Sequence, residues 1–160
     1  MAQRRSYRRG FSILELAVVN VTIGILMTVA MPRLSRALNR ARVVEALTTA
    51  STIERMLLDY YNRTGQYPPG GGEQNPPQPV SAGRATWDAN VSGWDAIGFK
   101  ADGSKYNYRY TFTTEVDPST GRYTIATIRA WSDVDRNGIE GEYVISLQDG
   151  ARIKDELVDE

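Results

Sequence analysis

The 160-residue sequence predicts an α+β fold: a long N-terminal α-helix, membrane-spanning in its first half, packed through its second half on a small antiparallel β-sheet. Three observations carry this expectation. Residues 11–31 form an apolar run with a single charge. Residues 33–61 continue a helical pattern with apolar side chains at three- and four-residue spacing. The last third of the chain alternates apolar and polar residues in runs separated by short turns.

Taken in order, residues 1–10 (MAQRRSYRRG) carry Arg4, Arg5, Arg8 and Arg9 and no acid, and read as a basic leader. From Phe11 to Met31 only Glu15 is charged. At about 1.5 Å of rise per residue this run reaches roughly 30 Å, the thickness of a bilayer's hydrocarbon layer. A secretory signal has a shorter apolar region, about 7–15 residues, followed by a small-residue cleavage site. A buried core helix would need a larger apolar domain around it than the remaining residues supply. Residues 11–32 are therefore expected to span a membrane. Arginines at 33, 36, 40 and 42 follow the span as closely as the leader arginines precede it, so charge counting leaves orientation open.

Pro32 removes one backbone donor and predicts a kink or local loosening. Beyond it, Val43, Ala46, Leu47, Ala50, Ile53, Leu57, Tyr60 and Tyr61 fall on one stripe that needs a cover. Arg40, Arg42, Glu45, Glu54, Arg55 and Asp59 occupy the opposite face, which suits solvent or a neighbouring subunit. Asn62-Arg63-Thr64-Gly65 ends the helix. Residues 62–104 are expected as a connecting loop. Within it, PPGGGEQNPPQPVSAG (68–83) is too rich in proline and glycine for a regular element, and Trp87–Lys100 reads as a short helix or turn closing one end of the core. The sheet is expected over 105–148, in three or four strands. Tyr106, Tyr108, Tyr110 and Phe112 point to one side of the first, Tyr123–Trp131 forms the next, and Glu142–Leu147 the third. Residues 149–160, with five acids against two bases, read as an acidic tail. The whole of 33–160 is one globular domain.

Composition narrows the function classes. Basic and acidic residues balance at 19 each, so no field favours nucleic acid, and no nucleic-acid partner is predicted. The absence of cysteine and histidine removes thiol chemistry, the usual zinc sites and the commonest general base. No enzymatic role is predicted and no cofactor is required. The candidate metal site is a calcium loop made by Asp133, Asp135, Asn137, Glu140 and Glu142, where oxygen side chains alternate before a glycine. The twelfth position is Val144, so a complete EF-hand is excluded. The alternative is a metal-free hairpin turn at Asn137-Gly138.

Glu15 is the most informative residue. A carboxylate inside an apolar span is costly and marks a functional position with a partner; the alternative is a side chain that reaches the interface.

The run Arg8-Arg9-Gly10-Phe11-Ser12-Ile13-Leu14-Glu15-Leu16, with Pro32 closing the span, resembles the N-terminal processing motif of type IV pilins and type II secretion pseudopilins. The resemblance implies cleavage after Gly10 by a prepilin peptidase and N-methylation of Phe11 by the same enzyme. It also implies an ion pair between Glu15 and the Phe11 amine of a neighbouring subunit. Phe11, Glu15 and Pro32 become assembly residues, with Pro32 at a place where family members share a proline. The implied protein is a single-pass inner-membrane subunit with an exported C-terminal domain, later part of a cell-surface or periplasmic filament. Its implied partners are the peptidase, copies of itself or related pilins, an inner-membrane assembly platform, and lipid before assembly. A pseudopilin of a type II secretion system is the alternative within this class. A membrane-anchored binding module is the alternative outside it.

Overall fold

The structure, a computed structural model, describes residues 11–77, 83–101, 103–133 and 138–158. Helix α1 (Ile13–Thr64) is followed by β1 (Gly72–Asn75), β2 (Ala85–Thr86), α2 (Trp94–Ile97), β3 (Lys105–Tyr106), β4 (Arg109–Val116), β5 (Tyr123–Ser132), β6 (Gly141–Gln148) and β7 (Ala151–Val158). This is the expected α+β class, a long helix on an antiparallel sheet. The chain divides into two compact units between Leu38 and Asn39, inside α1.

In the second unit, β1, β4, β5, β6 and β7 form one antiparallel sheet in that order, and β2 and β3 form a separate two-stranded ladder. The ladder of β4 and β5 runs from Arg109 opposite Trp131 to Glu115 opposite Ile125. That of β5 and β6 runs from Ile125 opposite Gln148 to Ser132 opposite Gly141. Period-two alternation then puts Tyr108, Tyr110, Phe112, Ala126, Ile128, Ala130, Tyr143, Ile145 and Leu147 in the core. The helical stripe supplies Ala46, Ala50, Ile53 and Leu57 to the same core. Fully burying such side chains contributes about 1.5–3 kcal/mol each for the larger aliphatic and aromatic ones. Trp87, Trp94 and Phe99 close one end as expected, with ring centroids 4.8–5.6 Å apart.

Four expectations are corrected. Leu47 stands 38% exposed, off the buried stripe. Glu54, assigned to the open face, is only 7% exposed, because Arg152 reaches it from β7. The loop 68–83 contains a strand, β1, whose glycines make it fit: a Cβ on Gly72 would overlap the Phe112 ring, and one on Gly71 would overlap the Phe112 carbonyl oxygen. The acidic tail is mostly β7, which gives the sheet five strands. Asp149 (φ 51°) and Gly150 (φ 77°) make the two-residue turn that folds β7 back on β6. At Pro32 the helix continues without a break.

Candidate functional site

The first unit shows how its helix begins. Ser12 precedes the first helical residue, and its Oγ accepts the Glu15 backbone N–H at 3.1 Å. Ser-x-x-Glu is the pattern of a capping box, and this bond is its first half. The Glu15 carboxylate therefore sits in the first turn, where the unsatisfied N–H groups and the helix dipole favour a negative charge. Polar groups farther along are satisfied within the helix. The Thr22 hydroxyl donates to the Val18 carbonyl at 2.8 Å, and the Thr28 hydroxyl to that of Ile25 at 2.7 Å. Thr48 and Thr52 in the second half of the helix bond back in the same way, to Val44 and Thr48.

Every residue from Phe11 to Leu38 is exposed. Phe11 is 79% exposed, Ile13 89% and Leu14 76%, on a helix long and apolar enough to cross a membrane. No described residue of the first unit covers this surface, which is far larger than the scattered apolar residues of a soluble surface. Of the residues singled out in the sequence, Phe11, Glu15 and Pro32 lie on this segment, and Gly10 lies outside the described residues.

In the second unit two acids of α1 reach distant parts of the chain, Glu45 the turn between β3 and β4 and Glu54 strand β7. Glu45 accepts the Asn107 backbone N–H at 2.7 Å and its side-chain amide at 2.5 Å, and pairs with Arg84 at 3.5 Å. Glu54 receives Nε of Arg152 at 2.7 Å and a second bond from its Nη2, a two-pronged pair. This hydrogen bonding holds the Arg152 guanidinium above its ordinary pKa. Arg152 also meets Asp155 at 3.2 Å. Spacing along the helix gave no signal for either contact, since the partners lie 62 and 98 residues away.

Of the five candidate calcium ligands, Asp135 and Asn137 lie outside the described residues. Asp133 Oδ2 accepts the Gly138 N–H at 3.0 Å. Glu140 pairs with Arg109, whose guanidinium lies 5.2 Å from the centre of the Trp131 ring, and Glu142 pairs with Arg129 at 3.4 Å. Among the described residues no three acids gather as a metal site. An ion held by Glu140 or Glu142 would compete with an arginine.

Beside the aromatic end of the core a cavity of about 230 Å³ is lined by Trp87, Ala89, Trp94, Asp95, Phe99 and Lys100. Its rings pack against each other, so it is a recess beside a filled core. The dominant unassigned surface of the molecule is the apolar segment of the first unit.

Comparison with known proteins points the same way. The chain is 33% identical over 86 residues to two type IV major pilin proteins, both PilE1 of Neisseria gonorrhoeae. The match covers 54% of this chain and 47% and 43% of those relatives, so the chain spans somewhat under half the length of the curated proteins it matches. No family profile matches the chain. No solved structure matches it significantly.

Proposed function

We propose that the chain is a structural subunit of a type IV pilus-like filament. The observation that carries this reading is the exposed apolar run from Phe11 to Met31, interrupted by one carboxylate in the first turn of its helix. Such a surface has two stable environments, lipid and other helices like itself. A subunit that passes from one to the other exchanges burial in hydrocarbon for burial against its copies, and little apolar surface meets water on the way.

Cleavage after Gly10 frees the amine of Phe11. The glycine presents no side chain, which lets a peptidase approach the backbone closely. A protonated amine on one subunit then pairs with Glu15 of the next, and a carboxylate that is costly in an apolar setting becomes the mark that sets the stagger. Methylation keeps the amine's charge. The pilin names of the gonococcal relatives support a pilus over a secretion machine.

The test is N-terminal sequencing and intact mass of the protein isolated from its native membrane or surface fraction. A chain that starts at Phe11 and is heavier by one methyl group is expected. A chain that retains Arg4 to Gly10, or one cut beyond Met31, would overturn the proposal and leave a plain anchor or a secretory signal.

A further inference from the structure

The chain holds three Asn-x-Ser/Thr triplets: Asn20-Val21-Thr22, Asn62-Arg63-Thr64 and Asn90-Val91-Ser92. In an exported domain this triplet is the acceptor pattern for N-linked glycans. The pattern alone is weak, and the three differ in what surrounds them. Asn20 lies within the apolar span, and its Thr22 is bonded back to Val18. Asn62 lies in the last turn of α1, where the Thr64 hydroxyl is engaged by the carbonyls of Tyr60 at 2.9 Å and Gln66 at 2.7 Å.

Asn90 is different. It is exposed, in the turn between β2 and α2, and it has an acid two positions ahead. Oδ1 of Asp88 accepts both the Asn90 backbone N–H at 2.9 Å and the side-chain amide at 3.0 Å. The backbone of Asp88 is itself held by the buried Asn75, whose Nδ2 donates to its carbonyl at 2.7 Å and whose Oδ1 accepts its N–H at 3.0 Å. The Ser92 carbonyl accepts the Glu73 N–H of β1 at 3.2 Å. The Ser92 hydroxyl is exposed and has no hydrogen bond among the described residues. The turn is thus fixed from below by β1, with its acceptor amide and the hydroxyl two residues on both facing outward in solvent.

We infer that Asn90 is a site of N-linked glycosylation, with a lipid-pyrophosphate-linked oligosaccharide as donor. The amide nitrogen bonds to the anomeric carbon of the first sugar as the bond from that carbon to the pyrophosphate oxygen breaks, its electron pair leaving on the lipid pyrophosphate, and the amide proton passes to solvent. No oxidant or reductant is needed. An amide nitrogen is a poor nucleophile because its lone pair is shared with the carbonyl. The Asp88 carboxylate, by accepting its N–H, makes the nitrogen richer in electrons and fixes its orientation.

The inference rests on the export that the proposed function entails, and one sample separates the two. Full-length protein from its native membrane is digested and the peptides containing Asn20, Asn62 and Asn90 are weighed, alongside N-terminal sequencing. A series of sugar-residue mass increments on the Asn90 peptide is expected, absent from the other two. The increment should vanish in both Asn90→Gln and Ser92→Ala, and its occupancy should fall several-fold in Asp88→Ala. Unchanged melting midpoints in these variants show that the fold is retained. A bare Asn90 on a chain starting at Phe11 overturns the inference while the pilin reading stands. A bare Asn90 on a chain that keeps its leader overturns both. An increment that survives Ser92→Ala also overturns it, because the triplet would then not be what is read.

Discussion

One helix runs through two chemistries. From Phe11 to Leu38 every residue of the first unit is exposed, leucines and valines included. From Asn39 to Thr64 the same helix buries Ala46, Ala50, Ile53, Leu57 and even Glu54. The backbone is alike in both halves, so the difference lies in what each side chain finds. The second half has its cover within the chain, whereas the first half has none among the described residues. A carboxylate teaches the same lesson twice: Glu54 has its arginine in the same molecule, and Glu15 in the proposed filament takes its partner from the next subunit.

Four measurements break or sharpen that contrast. The largest effect is expected from Glu15→Ala, which should reduce filament yield by about tenfold or more, since a paired buried charge is worth several kcal/mol to assembly. The melting midpoint of the protein in detergent should not move, because Glu15 belongs to the first unit and the core is built in the second; a lower midpoint would mean that its role is in folding. Next comes a pair of truncations, one in each half. Leu57→Ala should destabilise the folded domain by about 2–5 kcal/mol in urea unfolding, and Leu26→Ala by less than about 0.5 kcal/mol. Equal losses would erase the distinction between the halves.

A third test concerns pH. Burial raises Tyr67 from its ordinary 10.0 to about 12, and it raises Tyr110 as well. A raised phenol keeps its proton in the folded state after the unfolded chain has lost it. The contribution is therefore complete below pH 10 and is lost as pH climbs toward 12. Unfolding free energy measured across this window should fall by about 2 kcal/mol for Tyr67 alone, and Tyr67→Phe should flatten the decline. A slope that Tyr67→Phe leaves unaltered would assign the loss to other groups. A fourth test, Glu54→Gln, is expected to cost about 1–2 kcal/mol. That is below the value of a fully buried pair because Arg152 remains 37% exposed. The double variant with Arg152→Met should recover part of it; recovery of nothing would show that the two side chains are not coupled.

Much of this contrast is legible in the sequence, because periodicity is local. Ala46, Ala50, Ile53 and Leu57 declare their face by spacing alone, and the apolar run declares itself by length. The alternation of Tyr108, Tyr110 and Phe112 does the same for β4. What spacing does not carry is partnership at a distance. Glu54 reads as a surface acid until Arg152 is known to lie over it, and Glu45 until Asn107 is. Gly71 and Gly72 read as loop because Phe112, whose carbonyl and ring demand them, is about 40 residues away. For β7 the signal was present: Asp149-Gly150 between two alternating runs is a strong hairpin sign, but the charges that follow it resemble a solvated tail. At the N-terminus Ser12 was equally readable, as the first member of Ser-x-x-Glu. Gly10 and the middle of the candidate calcium loop lie outside the described residues.

The charges that disguise β7 have their own consequence. It is the last strand of the sheet, and its outer edge presents unpaired backbone groups that invite another strand. Arg152, Lys154, Asp155 and Glu156 stand in the middle of it, all exposed. A subunit crowded against its own copies, as in the proposed filament, faces a constant hazard of sheets fusing edge to edge. Charges along this rim oppose such unions, so that in the proposed filament contact between copies is left to the helices and the strands stay apart.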